Sequence, residues 1–188
     1  MKDELNKNEV VNKIKRTLEL FQAKNPCGGG KITLIDRRYV MLSTDYFPFD
    51  ITRDLEELFN AAGDTLLYKG GERIGKDLYA HYLPMARTYG VDIWDIISAV
   101  GWFFGWGTGT VIESGENDGR YRIRVYDSFE ADSFLKRAGN TEKPVCHFMR
   151  GVLNGIVESI EGRKYSSKED KCLAKGDGFC EFVFEPFK

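Results

Sequence analysis

The sequence predicts an α+β protein in which helices pack on an antiparallel sheet, with an amphipathic helix at the N-terminus. Three observations lead there. Apolar residues recur at helical spacing over residues 4–24, 50–104 and 144–162. Between and after these segments lie short stretches of alternating side chains around turn-rich loops, at Val111 to Tyr126 and at the C-terminus. Helices clustered in sequence between antiparallel strands settle on a sheet face instead of alternating with parallel strands. With 188 residues, 42% hydrophobic and 13% aromatic, the chain can bury a core without disulfide staples.

The elements follow in order. Glu4 to Lys24 sets Val10, Ile14, Leu18 and Phe21 on one helical face. Asn25-Pro26-Cys27-Gly28-Gly29-Gly30 stops that helix and reads as a linker, dividing a helix at 1–24 from a domain at 31–188. The helix must cover its apolar stripe, by folding back or against a second copy in a homodimer. Ile32, Leu34, Tyr39, Val40 and Leu42, broken at Asp36-Arg37-Arg38, read as one or two short strands. Asp50 can cap a helix carrying Leu55, Leu58, Ala62 and Leu66, with Gly70-Gly71 as its end. Further helices are expected from Gly75 to Tyr89 and from Asp92 to Phe104. Val111-Ile112 and Tyr121 to Tyr126 form a hairpin around the loop 114–119. Pro144 to Gly162 reads as a helix with Val145, Phe148, Val152, Ile156 and Ile160 inward, and two strands flank Lys175-Gly176-Asp177-Gly178 at the end.

Charge excludes one class of partner. The 27 Lys+Arg against 29 Asp+Glu leave no basic excess to neutralise phosphates, so direct nucleic-acid binding is not expected. The apolar run Trp94 to Trp106 is interrupted by Asp95, Ser98, Gly101 and Gly105 and falls short of the roughly 20 residues a membrane span needs. The charged start Met1-Lys2-Asp3-Glu4-Leu5 has no apolar signal core, so a cytoplasmic location is expected.

Two motifs tempt and fail. Gly70 to Asp77 imitates a phosphate-binding loop, but Asp77 stands where a magnesium-binding hydroxyl is required, and a turn between helices is the better account. Gly105-Trp106-Gly107-Thr108-Gly109 lacks dinucleotide-loop spacing and reads as a tight connection. Neither of the two histidines, His81 and His147, has a triad-like partner, so no catalytic residue is assigned.

The cysteines carry more information. A hairpin centred on Gly176 sets Cys172 opposite Cys180, with Cβ atoms about 5 Å apart, which suits two thiolates on one zinc ion. Cys146 opens the helix near Pro144 and is a plausible third ligand. Glu169 precedes Cys172 by three, an odd offset that faces it away in a regular strand unless a bulge turns it inward, so spacing alone leaves the fourth ligand open. Reduced, buried cysteines acting as small apolar side chains are the plain alternative.

Cys146 to Gly151, the helix through Gly155 to Glu158, and Glu169, Cys172, Gly176, Asp177, Cys180 and Phe182 resemble the 4-vinyl reductase domain family. The resemblance extends over about Val40 to Phe184, taking in Met41 to Ser43, Ala62 to Tyr68, Gly75 and Gly105 to Gly107. It implies a fold similar to subunits of the TRAPP trafficking complex and to haem-type nitric-oxide sensors. The family's phenol sensors hold a structural zinc through a Cys, a Glu and two further Cys in an order that falls here on Cys146, Glu169, Cys172 and Cys180. Cys27 has no counterpart. The His and Trp that fix the phenol hydroxyl in those sensors have no clear counterpart, so phenol itself is not implied. The vinyl-reductase name implies chemistry for which no flavin or nicotinamide fingerprint is present.

Together these readings describe a module that binds or senses a small hydrophobic or aromatic ligand and carries a structural zinc. Tyr79, Trp94, Trp102, Phe103, Trp106 and Phe148 are the candidate pocket residues, because aromatics around Gly105 can line a cavity. A tetrapyrrole vinyl reductase or its accessory factor, and a TRAPP-like protein-interaction scaffold, are the alternatives. A downstream protein partner is consistent with the first and the third.

Overall fold

The computed structural model of the chain describes residues 12–17, 32–34, 37–40, 42–44, 47–116 and 118–187. Residues 12–17 are helical (α1), followed by strands β1 (Ile32–Leu34) and β2 (Arg37–Tyr39). Helices α2 (Phe49–Phe59), α3 (Ala61–Tyr89) and α4 (Ile93–Phe103) lead into β3 (Thr108–Ser114) and β4 (Tyr121–Tyr126). Then come α5 (Phe129–Ala138), α6 (His147–Glu161), β5 (Tyr165–Lys171), a single 3-10 turn at Leu173–Lys175, and β6 (Cys180–Pro186). The architecture is α+β: the main sheet is four-stranded and antiparallel, in the order β3-β4-β6-β5, and β1 and β2 form a separate antiparallel ribbon.

Alternation sets the two faces of the sheet. Tyr121, Ile123 and Val125 of β4 and Cys180, Phe182 and Phe184 of β6 are buried on the inner face with Met149, Leu153 and Val157 of α6. Arg122 and Arg124 lie on the outer face, where both bond the buried Glu181 carboxylate at 3.0 Å. Asp92 caps α4 as its side chain accepts from the Trp94 N–H at 2.8 Å, and Gly90 and Gly162 close α3 and α6 in the left-handed conformation.

The long helix α3 departs from the sequence reading. Gly70-Gly71 does not end a helix, the segment to Asp77 is not a turn, and α3 runs through both and through Gly75. The break falls earlier, at Asn60, whose positive φ of 51° separates α2 from α3. Packing explains it. A methyl group on Gly71 would overlap the Phe148 carbonyl, and one on Gly75 the Val152 carbonyl. Reciprocally, methyls on Gly151 and Gly155 of α6 would overlap the carbonyls of Tyr68 and Glu72. Two glycine pairs, each spaced by four, let the helix backbones touch, and this contact outweighs glycine's penalty of about 1 kcal/mol in a helix interior.

Helix α5 was not anticipated from the sequence, although it is signposted by Glu130 and Asp132 in its first turn and Lys136 and Arg137 in its last. In the N-terminal segment, Ile14 is 2% exposed and packs on Ala99 and Trp102 of α4, so α1 folds back on its own chain at that point. Val10, Leu18, Phe21 and the linker 25–30 lie outside the described residues. No described helix is long and apolar enough to cross a membrane.

Candidate metal centre and apolar cavity

Three elements converge on one point. Cys146 is the N-cap of α6, Cys172 follows the end of β5, and Cys180 begins β6; all three are 0% exposed. The β5–β6 register pairs Glu169 with Phe182 but Lys171 with Glu181, so a bulge at Asp170 interrupts the alternation. That extra residue lets both Glu169 and Cys172 face inward despite their odd separation. The ligand atoms of Cys146, Glu169, Cys172 and Cys180 lie within 4.8 Å of one another. Cys146 Sγ and Cys180 Sγ are 3.6 Å apart, near the roughly 3.8 Å expected of two sulfurs bound tetrahedrally at about 2.3 Å from zinc.

The surrounding groups brace this cluster. The Cys146 N–H donates to Glu169 Oε2 at 3.0 Å, and Glu169 Oε1 is buried without a partner. Leu173 N–H donates to Cys180 Sγ, and Cys172 N–H to Asp177 Oδ2 at 2.8 Å, which fixes the 3-10 turn. An orphaned carboxylate oxygen beside three inward sulfurs is a donor set that fits a divalent, thiophilic ion with no position left for water. Cys146, Glu169, Cys172 and Cys180 would hold such a metal, whose positive charge would let all three sulfurs stay ionised.

The protons show why. Hydrogen bonds from the Cys146 and Cys180 thiols lower the pKa of Cys172. Burial pushes Cys146 well up. At Cys180 the bond from Cys146 favours the anion, but the bond it makes to Cys172 and its burial outweigh that and raise it. Burial and the neighbouring Cys172 charge push Glu169 up to about 9. The metal-free cluster therefore favours one shared negative charge.

Two residues outside the sequence reading adjoin the centre. Ser128 Oγ lies 3.3 Å from Cys146 Sγ. Glu130 is 0% exposed and accepts from the N–H groups of Phe148 (3.0 Å) and Met149 (2.7 Å); burial pushes its carboxyl up to about 8 against those two donors. His147 turns away from the cluster towards Asp64, at 3.5 Å.

An apolar cavity of about 70 Å³, measured as the space open to the centre of a water-sized sphere, lies between α3, α4, α6 and the inner face of the sheet. That is room for about five waters. Trp94, Ile97, Trp106, Ile123, Met149 and Leu153 are in its wall, and no charged side chain is. Of the candidate pocket residues, Trp94 and Trp106 line it, whereas Tyr79, Trp102, Phe103 and Phe148 stand outside. Phe103 turns to Tyr82 and Ile96, Trp102 to Ile14, and Phe148 to the rings of Trp106 and Phe129, while Tyr79 is half-buried beside the lining residue Leu78. A helix presents successive residues to different neighbours, so an aromatic run cannot all face one space. Gly107 closes the wall, because a side chain there would meet the Tyr126 carbonyl.

Fold and site together define an α+β domain with a Cys3Glu cluster beside an apolar cavity. Residues 122–186 match the vinyl-4-reductase domain family. The phenol-responsive sensory domain of the transcription activator PoxR, solved with phenol, superimposes with a TM-score of 0.72 at 17% identity, over 97% of this chain and 91% of that one. A vinyl-4-reductase family protein from Methanocaldococcus jannaschii follows at TM-score 0.57 and 18% identity, over 80% of this chain and 85% of that one. A trafficking protein particle complex subunit 3 from Naegleria fowleri, covalently bound to palmitic acid, gives 0.50 at 14% identity, over 77% and 95%. These likenesses establish a shared fold. In sequence, an uncharacterized protein of Methanocaldococcus jannaschii is 38% identical over 61 residues, 32% of this chain and 35% of that protein. The phenol regulator MopR of Acinetobacter guillouiae is 30% identical over 60 residues, 32% of this chain and 11% of that protein. The match thus spans about a third or less of these relatives' own length.

Proposed function

We propose that the chain is a binding or sensing module for a small, uncharged hydrophobic or aromatic molecule, pinned by a structural zinc at Cys146, Glu169, Cys172 and Cys180. The observation that carries this reading is the cavity, enclosed by aliphatic and aromatic side chains and free of charged groups in its wall. The likeness to a phenol-responsive sensory domain supports it. Zinc anchors the β5–β6 turn to the start of α6, and no reacting group is required. Homodimerisation through the N-terminal helix and a cytoplasmic location complete the proposal.

Trp94 and Trp106 provide the test. Titration with benzene, toluene or an isoprenoid alcohol should change tryptophan fluorescence saturably, and Trp106→Ala should weaken that response severalfold while zinc remains bound. No response to any of these compounds, together with native mass spectrometry showing no carried ligand, would sink the sensor reading. It would favour a protein-interaction scaffold, for which the exposed Ile51, Leu58, Phe59 and Leu66 on α2 and the start of α3 speak.

A further inference from the structure

Cys146 occupies a position with two incompatible duties. As the N-cap of α6 it stands where a Ser, Thr, Asp or Asn side chain ordinarily accepts from the N–H groups two and three residues on. Its sulfur is turned into the Cys3Glu cluster, and its side chain makes no capping bond. The first turn of α6 is buried at Met149, so its free N–H groups have no water to turn to.

Glu130 resolves the conflict from another helix. One carboxylate oxygen accepts from Phe148 N–H and the other from Met149 N–H, the two donors that a capping residue at 146 would have taken. Two residues earlier, Ser128 Oγ touches Cys146 Sγ at 3.3 Å. The start of α5 therefore grips both the helix end and the sulfur at that end. A fully buried carboxyl is an expensive cap, and the arrangement is intelligible where residue 146 must be a cysteine.

The same turn faces the cavity. Met149, whose N–H Glu130 holds, contributes its side chain to the cavity wall, and Val152 and Leu153 continue that wall one turn on. A shift of this turn moves the Cys146 ligand and the cavity lining together.

We propose that Glu130 is a positioning residue for the metal centre, holding the first turn of α6 as a rigid bridge between Cys146 and the wall of the apolar cavity. The inference rests on the metal reading given above. It makes metal affinity and the shape of the cavity depend on a side chain that touches neither metal nor ligand.

The experiment uses the full chain, with zinc and cobalt(II) as probes. Glutamine offers one acceptor where Glu130 offers two, and its amide NH2 opposes the second N–H. Glu130→Gln should weaken zinc binding ten- to a hundredfold in competition with a chromophoric chelator. It should also alter the visible spectrum of the cobalt-loaded protein and lower the fluorescence response to toluene. Glu72→Gln is the control: it removes a buried carboxylate of α3 elsewhere, and should lower the melting temperature without changing metal affinity or the cobalt spectrum. Wild-type zinc affinity and an unchanged cobalt spectrum in Glu130→Gln would overturn the proposal. If that variant does not fold, hydrogen exchange on the wild-type protein decides: removing zinc should speed exchange at the Phe148 and Met149 amides, and unchanged protection there overturns the proposal. A wild-type chain that binds no zinc or cobalt sinks the metal reading itself, whereas normal wild-type loading with an indifferent Glu130→Gln sinks only the role of Glu130.

Discussion

The Cys180 thiol lies at the first residue of β6, a strand with neighbours on both sides, and is fully buried among the other donors. Cys180→Ser should abolish stoichiometric zinc and lower the melting temperature by about 10 °C or more, since the terminal hairpin loses its tie to α6. Elemental analysis and thermal melts with and without chelator check this; the variant's melt should no longer respond to the chelator. Cys146, Cys172 and Cys180 were legible because their residue type and their places at a helix start and a hairpin mouth are written in the sequence. Glu169 was legible only through family resemblance, because its inward turn depends on a backbone bulge that no residue type announces. Glu130 and Ser128 were not legible, because they meet the centre only once α5 has docked on α6.

At the scale of elements, the contact between α3 and α6 makes opposite predictions for neighbouring glycines. Gly70 has nothing within 4 Å of a built Cβ, so Gly70→Ala should stabilise the protein by roughly 0.5–1 kcal/mol through helix propensity. At Gly75 the same methyl overlaps the Val152 carbonyl, backbone that cannot step aside. Gly75→Ala should therefore cost about 3 kcal/mol or more. Urea denaturation of the two variants measures both; equal effects would show that the helices are not in glycine-mediated contact. The hairpin of β3 and β4 and the helix at α6 were read correctly because their periodicity is strong. The reading of Gly70-Gly71 failed because a glycine that ends a helix and one that admits a neighbouring backbone look alike in sequence. The pairing of Gly71 with Gly75 and of Gly151 with Gly155 was the available signal.

Across the whole molecule, ion pairs fasten α3 and α6 to the start of β5. Glu72 bonds Lys69 and Lys76, Lys164 reaches both Glu72 and Glu158, and Lys76 bridges to Glu158 at 2.9 Å. Burial alone would raise the Glu72 pKa, but the three lysines overcome it and hold the group at about 2, against 4.5 when free. A carboxyl with a depressed folded pKa adds stability above its unfolded pKa and loses it as pH falls through the folded value. Glu72 should thus contribute on the order of 2 kcal/mol at neutral pH, fading between about pH 4.5 and 2. The stability gap between wild type and Glu72→Gln in urea should narrow from about pH 6 to about pH 3. A gap independent of pH would show that these contacts contribute nothing through charge.

By itself the sequence determined the fold class, the strong hairpin, the helices at α4 and α6, and the cysteines that meet in space. These follow from local periodicity and residue chemistry, which act over a few residues. Tertiary structure decided the rest: the continuity of α3, the inward turn of Glu169, and which aromatics face the cavity. Only Trp94 and Trp106 of the six candidates line it, because the side a residue presents depends on which helix packs where. That is settled by backbone contact between α3 and α6, more than seventy residues apart in the chain at Gly75 and Val152, where no local pattern reaches.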